Sequence, residues 1–145
     1  MWIDIISARS SEVDFARPAS VNALNAASAT LGEAFPEDLR SLLSESNGIS
    51  DEYGTDFVWS VERIVEKNRE MRQSVDFRSL YMPFEPLLFF GDNGGGDQFA
   101  FVQRPLRPDI FVWRHESDSR LWVANDLRDY LNRYLDAGGE DWYAP

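Results

Sequence analysis

The residues with the most obvious chemical potential lie in a glycine-rich loop, Asp92-Asn93-Gly94-Gly95-Gly96-Asp97. A glycine loop can cradle phosphate, but no lysine or serine/threonine follows this one, and the pattern after it is that of a strand instead of a helix. Its carboxylates could ligate calcium, but the bidentate glutamate of an EF-hand is missing. We interpret the loop as a hairpin turn in which Asp92, Gly94, Gly95, Gly96 and Asp97 are structural, and at least one glycine has a positive φ.

The single histidine, His115, is the next candidate, with Glu116 and Asp118 close by. It could act as a general base, but the chain has no cysteine and no serine in a nucleophile-elbow sequence. The ligand spacings typical of zinc sites are also missing. We interpret His115 as a residue of a solvated polar turn. The sequence thus predicts no catalytic residue, no metal ligand and no cofactor, although carboxylate pairs for glycoside chemistry stay open because their separation is not known.

Acidic residues outnumber basic ones by 25 to 14, which gives a formal net charge of −11. Such a chain repels phosphate backbones, so nucleic-acid binding is not expected. It attracts a basic protein partner, with the gain mostly in association rate, although solubility alone explains the same composition. Loops often carry function, and two predicted loops concentrate acids. The candidate partner contacts are therefore Asp51, Glu52, Asp56, Glu116 and Asp118.

Length and composition indicate one folded domain over residues 1–145, since 43% of the residues are hydrophobic. No apolar run is long enough for a membrane helix, and the first residues lack the basic start and cleavage site of a signal peptide. The absence of cysteine excludes disulfides. We expect a cytoplasmic protein that contacts no membrane, with its oligomeric state left open.

Capping residues and apolar spacing predict four helices that position the loops. Ser20 caps a helix that runs to Leu31, Pro36 lies in the first turn of the next, Ser60 caps the third and Asn125 caps the last. Residues 2–6 are expected to form a short strand or an arm, and residues 9–19 and 74–79 are expected to be irregular.

Apolar and aromatic runs predict the strands. The glycine loop joins two of them into a hairpin at the centre of a sheet, and further strands are expected at residues 57–59, 110–113 and 121–124. Helices come first, strands follow and one helix closes the chain. This order predicts an α+β fold with a largely antiparallel, multi-stranded sheet packed with N-terminal helices and a C-terminal helix.

The tail contains two aromatic residues, Trp142 and Tyr143, among acids. They could anchor a partner or dock back on the domain. Docking is favoured, because an exposed aromatic side chain is costly.

Four sequence elements, taken in order, resemble the SMI1/KNR4 family, also called the SUKH superfamily. The resemblance covers roughly residues 31–135. The elements are Phe35-Pro36-Glu37-Asp38-Leu39-Arg40-Ser41-Leu42-Leu43 leading to Asn47-Gly48; Trp59-Ser60-Val61-Glu62-Arg63-Ile64-Val65; Phe90-Gly91-Asp92-Asn93-Gly94-Gly95-Gly96-Asp97; and Ile110-Phe111-Val112-Trp113-Arg114-His115-Glu116.

The resemblance implies an α+β fold and a non-enzymatic role. Bacterial members of the family are typically immunity proteins that neutralise toxins, often nucleases, and fungal members regulate cell-wall synthesis and carry long disordered extensions. The function expected here is therefore toxin neutralisation by a protein-binding domain. A small-ligand-binding domain or an enzyme with a pocket near the glycine loop, and a general regulatory scaffold, are the alternatives.

Overall fold

The computed structural model describes residues 1–140 and 142–143. Within them the chain forms six helices and two antiparallel sheets, one of three strands and one of four. The predicted α+β class is confirmed, with the antiparallel strands divided between two sheets instead of one.

Two of the helices begin at the serine caps that the sequence predicts. Ser20 Oγ accepts a hydrogen bond from the Ala23 amide at 3.0 Å, and Ser60 Oγ accepts one from the Arg63 amide at 3.2 Å. The helices are α1 (Trp2–Arg9), α2 (Val21–Leu31), α3 (Glu37–Glu45), α4 (Val61–Gln73), α5 (Val75–Leu80) and α6 (Leu127–Asp136).

The strands form two ladders in chain order. The smaller sheet contains β1 (Asp14–Phe15), β2 (Ile49–Ser50) and β3 (Asp56–Val58), in the order β1-β2-β3. The larger sheet contains β4 (Leu87–Asp92), β5 (Gln98–Gln103), β6 (Leu106–Arg114) and β7 (Ser119–Ala124), in the order β4-β5-β6-β7.

The expected hairpin is formed by β4 and β5, but β4 is the edge strand of the larger sheet and not a central one. The smaller sheet lies against this edge, where the Trp59 amide donates to the Phe90 carbonyl at 2.7 Å. The Tyr130 hydroxyl of α6 also donates to the Phe57 carbonyl of β3 at 2.7 Å. The two sheets therefore meet closely along β3 and β4.

The predicted strand or arm at residues 2–6 is wrong, because these residues belong to α1. Glu45 at the end of α3 accepts hydrogen bonds from the Trp2 and Ile3 amides at 3.0 and 3.1 Å. Burial acts to raise the pKa of Glu45, but these two bonds and the N-terminal ammonium outweigh burial and lower it. A side chain 43 residues away thus satisfies the start of α1, and no local sequence signal shows it.

Four further details differ from the sequence predictions. Residues 9–19, which are expected to be irregular, contain β1. Residues 74–79, expected to be irregular, contain most of α5, which is capped by Ser74. Because α5 buries none of its residues, its sequence has no apolar stripe that would predict a helix. The cap of α6 is Asp126 instead of Asn125, since Asp126 Oδ1 accepts from the Asp129 amide at 2.8 Å. Pro36 is the residue before α3 instead of one in its first turn.

Candidate binding site

Three loops meet at one end of the larger sheet: the glycine loop (residues 92–97), the acidic loop (51–56) and the β6–β7 turn (115–118). We call this region the loop end. Asp97 Oδ1 lies 2.7 Å from His115 Nδ1 and accepts from the His115 amide at 3.2 Å. On the other side, a Cβ added to Gly94 would lie 2.8 Å from Thr55 Oγ1. The glycine loop thus lies between the two acidic segments that the sequence selects as candidate contacts.

Side chains of the glycine loop bind its own backbone. Asp92 Oδ1 accepts from the Gly94 amide at 2.7 Å, and Asn93 Oδ1 accepts from the amides of Gly95 and Asp97 at 2.8 and 3.1 Å. Two of the three glycines, Gly94 and Gly96, have positive φ values of 83° and 107°. Because the side chains and amides satisfy one another, the loop has a defined shape without a ligand.

Asp51 is buried instead of displayed. Its Oδ1 accepts from the amides of Tyr53 and Thr55 at 2.9 and 3.0 Å, and its Oδ2 accepts from the Tyr134 hydroxyl at 2.7 Å. Burial raises the pKa of Tyr134, and the bond to Asp51 raises it further, so the hydroxyl stays protonated and donates. Asp51 therefore organises the acidic loop and attaches it to α6.

Asp118 likewise binds residues of its own domain. It accepts from the Met82 amide at 3.0 Å, the Trp113 indole at 2.8 Å and the Arg120 guanidinium at 3.1 Å. Burial alone would raise the pKa of Asp118, but these three donors outweigh it and lower the pKa. Its φ of 58° places it in the left-handed region at the tip of the turn.

The other three candidate contacts are more accessible. Glu52 is exposed, and Glu116 is 85% exposed, with Nε2 of the His115 imidazole 4.0 Å from its Oε1. Asp56 is intermediate: Ser50 Oγ donates to its Oδ1 at 2.6 Å, and its Oδ2 lies 3.9 Å from Arg63. The loop end thus presents Glu52 and Glu116 to solvent and uses Asp51 and Asp118 to hold the loops in place.

His115 is bound to Asp97 and is not simply the solvated turn residue that the sequence predicts. A carboxylate–imidazole pair is the arrangement of a hydrolase general base, in which the other ring nitrogen faces a nucleophile. Here the group nearest to Nε2 among the ion-pair contacts is the carboxylate of Glu116. Among the described residues, no group of three or more His, Cys, Asp or Glu side chains is placed to hold a metal ion.

Trp142 and Tyr143 dock on the loop end, as the sequence favours. Trp142 stacks on Phe99 with ring centroids 6.0 Å apart, and the Tyr143 hydroxyl donates to Asp97 Oδ2 at 2.9 Å. Asn93 Nδ2 donates to the Tyr143 oxygen at 2.7 Å. A cavity of about 110 Å³ lies between Asp51, Tyr134 and the aromatic pair Trp142 and Tyr143. Sequence reasoning does not find the part that Tyr134 plays at this end, because its partner Asp51 lies 83 residues away.

A substitution at Gly96 should destabilise the glycine loop. A Cβ there would lie 2.9 Å from the His115 ring, and the positive φ is costly for any other residue. We expect Gly96→Ala to lower the free energy of unfolding in urea by about 1–3 kcal/mol. Gly95→Ala is the matched control, since Gly95 has no positive φ and its added Cβ would have no neighbour closer than 3.6 Å. Equal unfolding free energies for the two variants would contradict this account of the loop.

The fold and the loop end define a small α+β domain with two antiparallel sheets, whose ordered loops display acids at one end. The chain belongs to the SMI1 / KNR4 family (SUKH-1), whose sequence pattern it matches over residues 18–133. The match includes α2, which the resemblance drawn from residues 31–135 leaves out. No curated protein matches the chain significantly. In the part of the chain that the structure describes, no helix has both the length and the apolar character needed to cross a membrane.

Proposed function

We propose that this protein is an immunity protein that binds a basic polypeptide toxin, with a nuclease as the expected toxin, and blocks it stoichiometrically in the cytoplasm without chemistry. The observation that carries the proposal is the family match over residues 18–133, since the family is known for immunity-protein-like domains. The net charge of −11 supports it, because a nuclease that holds phosphates must present a positive face.

The organisation of the loop end also supports the proposal. Asp51 and Asp118 bind internal donors and so fix the backbone of the two acidic segments. Glu52 and Glu116 extend from these fixed segments into solvent. Ordered loops reduce the entropy cost of association, and exposed acids accelerate the encounter with a basic protein. The contact residues that we propose first are therefore Glu52 and Glu116, with Asp56 beside them.

A small-ligand site or an active site at the glycine loop is less well supported. The cavity there has a volume of about 110 Å³, whereas pockets for organic ligands have volumes of roughly 300–1,000 Å³. In a general scaffold role, the partner of the exposed acids would be a cellular protein instead of a toxin. A toxin gene beside the gene for this chain would favour immunity over a scaffold role.

The steering role of the loop end is tested by stopped-flow association with the toxin domain encoded beside the gene. We expect Glu52→Lys combined with Glu116→Lys to slow association about ten-fold at low salt and to reduce its salt dependence, because reversed charges oppose the encounter. Asp4→Lys combined with Glu66→Lys changes the net charge equally at two exposed acids on α1 and α4. Equal slowing by both pairs would show that net charge alone acts and that the loop end has no special part.

A further inference from the structure

An apolar cleft lies at the end of the larger sheet opposite the loop end, where β5 turns into β6. Its volume is about 380 Å³. The buried side chains of Phe101 and Leu127 line it, and the start of β6 and the start of α3 also contribute to its lining. Leu106, at the start of β6, is 74% exposed beside it. Leu106 extends the apolar surface of the cleft, and a contiguous apolar surface rimmed by polar residues is a common feature of protein-binding sites.

Polar contacts hold one wall of the cleft in place and pair its cation. Gln103 Nε2 donates to the Ala34 carbonyl at 3.0 Å, which ties the end of β5 to the segment before α3. Arg107 forms a forked pair with Asp109, with nitrogen–oxygen distances of 3.1 and 2.8 Å. The bond to Asp109 raises the pKa of Arg107, and the bond to Arg107 lowers that of Asp109. The one cation in the lining is thus neutralised by its own strand.

Two lining carboxylates have no such partner. Glu37 and Asp38 are exposed, and the carboxylate of neither makes a hydrogen bond or an ion pair with any residue that the structure describes. Their position in the first turn of α3 suits the helix dipole. That explains the acids but not the apolar cleft beneath them. Together, an apolar floor and an uncompensated acidic rim are complementary to a segment that carries both apolar and cationic side chains.

We propose that this cleft is the anchoring site for a basic polypeptide segment, with an aliphatic or aromatic side chain in the cleft and a lysine or arginine against Glu37 and Asp38. The inference rests on the proposed function only for the identity of the partner as a toxin. The two surfaces then have different roles. The loop end accelerates the encounter with the partner, and the cleft slows dissociation of the partner by desolvating one of its apolar side chains.

The test is a titration of the ¹⁵N-labelled chain, followed by NMR, with the peptide acetyl-Arg-Leu-Arg-Phe-Arg-amide. Saturable shifts are expected at Glu37, Asp38 and Leu106. Acetyl-Arg-Ser-Arg-Ser-Arg-amide, which lacks the apolar side chains, and acetyl-Glu-Leu-Glu-Phe-Glu-amide, which lacks the cations, should both bind more weakly. Absence of saturable shifts at the cleft, or equal binding of all three peptides, would overturn the proposal.

Variants that do not disturb the core complete the test. Leu106→Ser and the pair Glu37→Gln/Asp38→Asn should each weaken peptide binding about ten-fold. Leu80→Ser is the matched control, since Leu80 is 70% exposed on α5. If Leu106→Ser binds the peptide as Leu80→Ser does, the cleft is not the anchor. A toxin that fails to bind the unmodified chain would refute the proposed function instead, and the peptide titration would still decide on the cleft.

Discussion

Replacing Asn68 by leucine is expected to lower the free energy of unfolding by about 3 kcal/mol or more. Asn68 is fully buried in α4 and binds the backbone of β4 in both directions. Its Oδ1 accepts from the Phe89 amide at 2.9 Å, and its Nδ2 donates to the Phe89 carbonyl at 2.8 Å. Leucine has a similar volume but leaves both backbone groups of Phe89 unpaired in the core, which costs far more than the lost side-chain bonds.

Asn22→Leu is the control for this prediction, because Asn22 is exposed on α2 and such surface changes usually stay within about 0.5 kcal/mol. Urea unfolding followed by tryptophan fluorescence gives both values. An unfolding free energy for Asn68→Leu close to that of Asn22→Leu would show that β4 does not depend on this side chain.

A methyl group at Gly91 is expected to force the two sheets apart. A Cβ there would lie 2.2 Å from the Phe57 carbonyl oxygen, and backbone on a packed strand cannot rotate away as a side chain can. Relief of the overlap would strain the hydrogen bonds that the Trp59 amide and the Tyr130 hydroxyl make across the same junction. We expect Gly91→Ala to lower the free energy of unfolding by about 3 kcal/mol.

Hydrogen exchange makes the Gly91 prediction specific to the junction. The Trp59 amide, which donates to Phe90, should exchange much faster in Gly91→Ala than in Gly95→Ala. Wild-type protection of that amide together with wild-type stability would contradict a close approach of β3 and β4 at Gly91.

Elements with local signals were predictable from the sequence. The caps Ser20 and Ser60 and the leucines of α3 follow from capping chemistry and helical spacing, and all of them occupy the expected places. Elements that depend on distant partners were not predictable. α1 is completed by Glu45, and α5 has no buried residue that could give a periodic pattern.

In the candidate site, too, the features with a local sequence signal were predictable and those that depend on distant residues were not. Sequence reasoning found the glycine loop and the acids around it, since residue type alone marks them. It did not show that Asp51 and Asp118 are bound internally, because each of them has, besides local donors, a donor distant in sequence: Tyr134 and Met82, 83 and 36 residues away. The cleft at the other end could not be predicted either, because its residues come from elements that are far apart in the sequence. Its floor combines β5 with α6, and its rim comes from α3.

The most direct test of toxin neutralisation is a titration of toxin activity. A candidate toxin domain, sought among the genes next to the one for this chain, is held at a fixed concentration, the purified chain is added, and residual activity is measured together with the mass of the toxin. We expect activity to fall in proportion to the chain added, to reach zero at a fixed stoichiometric ratio, and to leave the toxin's mass unchanged. Full toxin activity in the presence of excess chain, or loss of activity at far lower ratios with a change in the toxin's mass, would contradict stoichiometric binding without chemistry.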